Sequence, residues 1–158
     1  ERVMSSTPAS IAKHPIHPML IVFPIGLWVF SFVCDLVWLA GGAAIWRDVA
    51  FYTMAGGILG ALMAAIPGVA DFLSIRDPQV RLVAWAHLLI NLSVVALYAV
   101  NLWLRTWTPP LAVLPVVLSA IAVILLAISG WLGGELVYVH GLGVEAARPE
   151  EARGRRVA

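Results

Sequence analysis

Four histidines, His14, His17, His87 and His140, are the residues in this chain best suited to chemistry. Imidazole is the commonest protein ligand for metals and titrates near neutral pH. Around them the chain is so apolar that each polar side chain needs a reason. Asp71, Glu135, Asn91 and Arg81 are the candidates nearest to the histidines. A buried histidine can bind a metal or hydrogen-bond a neighbouring helix; His14 alone reads better as an ordinary interfacial residue.

In His14-Pro15-Ile16-His17-Pro18 each proline steers the histidine before it away from helical angles. Pro18 suits the first helical position, where its missing N–H would be unpaired anyway, so His17 is expected at the helix start. His87 falls well inside a helix, with Asn91 one turn deeper on the same face. Asn91 can therefore hold the second ring nitrogen, the outer support that metal-bound imidazoles usually have. His140 ends the run Gly130-Trp131-Leu132-Gly133-Gly134-Glu135-Leu136-Val137-Tyr138-Val139-His140, and Gly141 suits a helix C-cap.

The elements that position these residues follow from composition. Of 158 residues, 61% are hydrophobic and 12% charged, a balance that a water-soluble domain with a polar surface cannot have. A bilayer core about 30 Å thick needs about twenty helical residues. Four stretches qualify, at about 18–39, 48–73, 80–105 and 111–139. The loops between them are short, so the expected fold is all-α: an integral-membrane, up-down four-helix bundle over residues 1–144. Residues 145–158 form a polar tail expected to be disordered. The first stretch exceeds the usual signal-peptide core of roughly 7–15 residues and reads as a retained helix. Opening on Glu1 rather than methionine, the chain is expected to be processed or to lack preceding residues.

Of the ten basic residues, Arg2, Lys13, Arg76, Arg81, Arg148, Arg153, Arg155 and Arg156 flank one side and only Arg47 and Arg105 the other. The positive-inside bias then puts both termini in the cytoplasm, with all four histidines near that side. Trp38, Trp46, Trp103 and Trp107 gather at the opposite interface, where amphipathic rings favour the headgroup zone.

Stepping 3.6 residues along each stretch selects an inward face. It runs His17, Pro24, Trp28, Ser31, Asp35 on the first; Thr53, Gly56, Gly57, Gly60, Ala64, Pro67, Asp71 on the second; His87, Asn91, Val94, Tyr98, Asn101, Arg105 on the third; and Ser119, Leu126, Gly130, Gly133, Val137, His140 on the fourth. The glycine track favours close helix packing. Asp35 can pair with Arg105 or Arg47, and Asp71 with Arg81 or a histidine; structural ion pairs are the expected role of both.

A histidine cluster among facing helices fits haem b on two imidazoles, or a non-haem metal on mixed His and carboxylate ligands. Haem suits the chain better, with Arg76, Arg81 or Lys13 placed to meet propionates. His14, His17, His87, His140, Asp71 and Glu135 are the candidate metal ligands. Cys34 is the only cysteine, which excludes an internal disulfide and a thiolate cluster. Neither H-E-x-x-H nor C-x-x-C-H occurs, so zinc proteolysis and covalent haem lack their signatures. A net charge of +1 without a basic-aromatic patch argues against nucleic acid. No nucleophile and base occur in a recognisable motif, so an enzyme acting on a substrate is the hardest reading to defend.

His-Pro-Ile-His-Pro-Met-Leu with Phe23-Pro24-Ile25-Gly26, Gly68 to Asp71, Ala86-His87, and Gly130-Trp131-Leu132-Gly133-Gly134-Glu135 through His140-Gly141 together resemble the bacterial membrane-protein family "domain of unknown function 2231". The resemblance spans most of the chain and implies a multi-pass protein of the bacterial cytoplasmic (inner) membrane. Some members of that family join a Rieske-type iron–sulfur domain to the membrane part. The resemblance therefore implies electron transfer, with any Rieske-type partner a separate protein because this chain has no second cysteine.

The expected function is membrane-embedded electron transfer through haem b or another metal, with His87 as one ligand and His17, His14 or His140 as the other. A proton or metal-ion channel or transporter along Asp71, His87, Asn91, Tyr98, Asn101 and Arg105 is the alternative, and with so few helices it would need a homo-oligomer. A third reading is an accessory subunit without cofactor, whose polar stripes only specify helix packing.

Overall fold

The computed structural model describes residues 8–12, 14–107 and 113–144. The polar tail, the start of the fourth stretch at Leu111, and Arg2, Lys13, Arg148, Arg153, Arg155 and Arg156 of the charge count lie outside the described residues.

Four helical spans are long and apolar enough to cross a membrane. The first is divided into α1 (Ile16–Leu20) and α2 (Val22–Leu39); α3 (Ile45–Ser74), α4 (Pro78–Arg105) and α5 (Val113–Tyr138) follow. The division at Ile21 has a covalent cause: Pro24 has no N–H to offer the carbonyl of Leu20, four residues back. Asp77 starts α4, its carboxylate accepting from the backbone N–H groups of Gln79 at 2.8 Å and Val80 at 3.5 Å, with Pro78 at the first helical position. Past α5, Gly141 takes a left-handed φ of 68° and the Leu142 N–H reaches back to the Leu136 carbonyl at 2.9 Å.

Packing is uneven around the ring. The pairs α2–α3 and α4–α5 are each extensively packed, whereas α3–α4 and α2–α5 meet along thinner contacts that close the bundle. The molecule is thus two helix pairs joined along a seam. Lipid supplies no hydrophobic drive between helices, so close packing and internal hydrogen bonds must do it. Glycines on α3 allow that closeness. A Cβ on Gly57 would lie 2.4 Å from Trp28 Nε1 and one on Gly60 3.2 Å from Pro24, so the glycine track seats side chains of α2.

The core holds Trp28, Met54, Val94, Tyr98, Ala122 and Leu126. Trp28 stacks on Tyr98 with ring centres 4.5 Å apart and donates to the Met54 carbonyl at 3.2 Å. The expected inward faces of the first three spans recur: Pro24, Trp28, Ser31 and Asp35 on α2, Gly57, Ala64 and Asp71 on α3, and Val94, Tyr98 and Asn101 on α4 are buried. On α5 the buried line is Pro115, Ser119, Ala122, Leu126, Ser129 and Leu136. Gly130, expected inside, has open space beside it. Beyond Leu126 the two lines diverge by one residue, and Ser129 rather than Gly130 has partners on α4 to bury against.

A feature the sequence did not announce precedes α1. Strands β1 (Ser10–Ile11) and β2 (His14–Pro15) pair antiparallel, with Ala12 at φ 49° in the turn. The hairpin is tied down by two bonds: Ala9 N–H donates to Asp71 Oδ1 at 3.1 Å, and Ile16 N–H donates to the Ala9 carbonyl at 3.0 Å.

Candidate functional site

His17 and His87 come together, their ring centres 6.4 Å apart and their planes nearly perpendicular. Each is fastened to its own helix pair. His17 lies in the first turn of α1, inside the helix rather than ahead of it, since Pro18 is tolerated where helix N–H groups have no intrahelical partner. Its Nδ1 is 2.8 Å from the backbone carbonyl of Ala64 on α3, and its ring lies against Gly68, where a Cβ would be 2.7 Å away. His87 of α4 mirrors this on the other side of the seam. Its Nδ1 is 2.9 Å from the backbone carbonyl of Ser129 on α5, and a Cβ on Gly133 would be 3.2 Å from its Cε1.

The carbonyls fix the tautomers. A carbonyl oxygen only accepts, so each Nδ1 carries a proton, and in the neutral ring each Nε2 presents a lone pair. At His87 that lone pair faces Asn91 Nδ2 at 3.1 Å, which also donates to the His87 carbonyl at 2.8 Å and to Ser129 Oγ at 2.7 Å. At His17, Nε2 has no hydrogen-bond partner among the described residues. Asn91 thus meets His87 one turn along α4 as its spacing suggested, but at Nε2; the outer support expected of it falls to the Ser129 carbonyl at Nδ1.

The remaining candidates are elsewhere. His14 is exposed in the hairpin, its Nδ1 2.9 Å from the Ala12 carbonyl. His140, just past α5, has Glu135 as its charged neighbour, Nε2 to Oε1 3.9 Å. Asp71 accepts from the Ala9 N–H and not from Arg81, and of the expected partners it is His17 that lies within electrostatic reach of it. Arg81 is exposed, with its guanidinium 5.7 Å above the centre of the Phe72 ring. Among the described residues no three His, Cys, Asp or Glu side chains gather in a way that could hold a metal; what converges is the pair.

A second polar cluster lies at the opposite end. Arg105 grips Asp35 through two parallel bonds, Nη1 to Oδ1 at 2.7 Å and Nη2 to Oδ2 at 2.6 Å, while its Nε donates to Asn101 Oδ1 at 3.1 Å. Asn101 Nδ2 donates in turn to the Pro115 carbonyl at 2.8 Å and to Ser119 Oγ at 2.9 Å. Of the two partners the sequence offered Asp35, Arg105 is the one found; Arg47 is near Asp48 at 3.9 Å.

Sequence reasoning passed over Ser129 and the two glycines as supports for the imidazoles. Ser129 is a hydroxyl in an otherwise apolar turn, a signal that was present. Gly68 and Gly133 stood in the motifs, but which side chain each would admit depends on a partner helix. The carbonyls of Ala64 and Ser129 leave no trace in side-chain identity.

A family model described as a predicted membrane protein, DUF2231, matches residues 13–146, and the chain belongs to this family. No curated protein and no solved structure matches the chain.

Proposed function

We propose that this member of the family is a membrane-embedded electron-transfer protein whose redox centre, haem b or another metal, is held by His17 and His87 across the seam between the helix pairs. One observation carries the reading: two imidazoles from opposite helix pairs meet with Nδ1 of each spent on a backbone carbonyl, leaving Nε2 without a partner among the described residues at His17 and met only by the Asn91 amide at His87. Metal-bound histidines usually donate their other ring N–H in just this way. His17 and His87 would be the residues to hold the metal, their rings 6.4 Å apart between centres. Gly68 and Gly133 keep the flanks of both rings free of side chains.

A metal bound there would supply one-electron chemistry. The chain's own part is to fix both half-buried imidazoles and to offer Arg76 and Arg81, exposed near that end, to acidic groups of a cofactor. His14, His140, Asp71 and Glu135 fall outside the ligand pair in this reading. The bacterial cytoplasmic membrane and a separate Rieske-type protein are the setting and redox partner that go with it.

Protein purified in mild detergent is expected to show a Soret band that shifts on reduction, with iron bound, and to lose both in His17→Ala and His87→Ala. Preparations with neither Soret absorbance nor stoichiometric metal would overturn the proposal. Such a result would favour the accessory-subunit reading. The transport reading is weaker, because Trp28, Val94 and Tyr98 put an apolar layer between the two polar clusters; it would require ion flux into proteoliposomes that His87→Ala abolishes.

A further inference from the structure

The structure assigns Asn91 a role that rests on the proposed redox centre: its amide is a displaceable cap on the ligating nitrogen of His87. Asn91 Nδ2 has two protons to give and three acceptors within reach. These are Ser129 Oγ at 2.7 Å, the His87 carbonyl at 2.8 Å and His87 Nε2 at 3.1 Å. The amide is therefore oversubscribed, and the longest contact is the one to the ring. A group bound at Nε2 would take the place of the amide, so Asn91 must give up that contact and move aside, with the Ser129 hydroxyl and the His87 carbonyl as its remaining acceptors.

The two ligands are consequently unequal. His17 offers an Nε2 with no partner among the described residues, whereas His87 offers one already engaged by an amide proton. His17 would hold a metal without giving anything up, whereas His87 would join it only by giving up its hydrogen bond from Asn91. In the empty protein the same bond holds the His87 ring ready. Ser129 anchors the arrangement from α5 through its carbonyl at 2.9 Å and its hydroxyl at 3.1 Å from Nδ1. Asn91 is a positioning residue that lowers affinity, not a ligand.

Titration with haemin of the detergent-purified, cofactor-free protein tests this. Asn91→Ala and the volume-matched Asn91→Leu are expected to bind haemin roughly 3- to 10-fold more tightly than the parent, the equivalent of one ordinary net hydrogen bond. Both should still give the low-spin, two-imidazole spectrum. Nitrogen-15 NMR of labelled histidine, before any haemin is added, should move only the His87 Nε2 resonance toward that of an unbonded lone-pair nitrogen in either variant. If the parent binds haemin and both variants bind it equally or less well, the cap is overturned while the redox centre stands. If neither parent nor variants bind haemin, the cap and the centre fall together.

Discussion

At the end of the bundle where α2 and α4 stop, Asp35 and Arg105 cancel each other's charge, and Asn101 and Ser119 take up the remaining donors. At the end where α1 begins, no bidentate ion pair forms among the described residues, although Asp71 lies within electrostatic reach of His17. His17 and His87 lean on backbone carbonyls, and one ring nitrogen has no partner among the described residues. The first cluster is closed: its members satisfy one another and nothing more is needed. The second is open, its support complete and its lone pairs in excess. A polar group inside a membrane must be paired or must serve a purpose, and the contrast separates the cluster that holds the bundle from the one to which the proposed function gives a ligand.

The contrast can be broken most sharply at the ion pair. Arg105→Leu strands a carboxylate that is 2% exposed and is expected to cost about 3–5 kcal/mol in unfolding measured in detergent. Adding Asp35→Leu should recover most of the loss. By the same measurement His87→Ala leaves only neutral groups unpaired and should cost about 1–3 kcal/mol. Equal losses at the two ends would erase the distinction. A smaller effect is expected between them: Gly57→Ala drives a Cβ to 2.4 Å from Trp28 Nε1, and Trp28 is pinned by its stack on Tyr98. A loss of about 1–3 kcal/mol should follow, while Gly26→Ala, facing open space, should be near neutral. The smallest effect concerns Tyr98, whose buried hydroxyl has no hydrogen-bond partner among the described residues. Tyr98→Phe removes that unmet donor and should stabilise the protein by up to about 1 kcal/mol; a marked loss instead would mean that the hydroxyl belongs to the ion-pair cluster through a bridging water.

The sequence was legible where one physical rule acted alone. Length and apolarity located the spans, since only a hydrocarbon core explains such runs. On α4 every strongly polar residue between Trp85 and Arg105 except Ser93 falls on one face, so its inward side could be read directly. Ser93 shows why such stripes work: it faces outward but satisfies itself on the Leu89 carbonyl at 2.9 Å. α5 was harder, because small and apolar residues occur all round it and its register depends on what α4 presents. The hairpin could not be seen, as two-residue strands carry no periodicity. Four histidines near one end suggested a single cluster, yet side-chain reach and local bonds select two. His14 is claimed by its own turn, and His140 lies beyond the helix that would have aimed it.

The thin contact between the two helix pairs bears on when the candidate site can exist during synthesis. His17, Ala64 and Gly68 are all made before α4, and their local bond needs nothing downstream. The imidazole from the second pair arrives only after α4 and α5 have inserted and docked. Neither half of the polypeptide holds both imidazoles, so on the proposed reading the two-histidine site would be completed only at the last step of assembly.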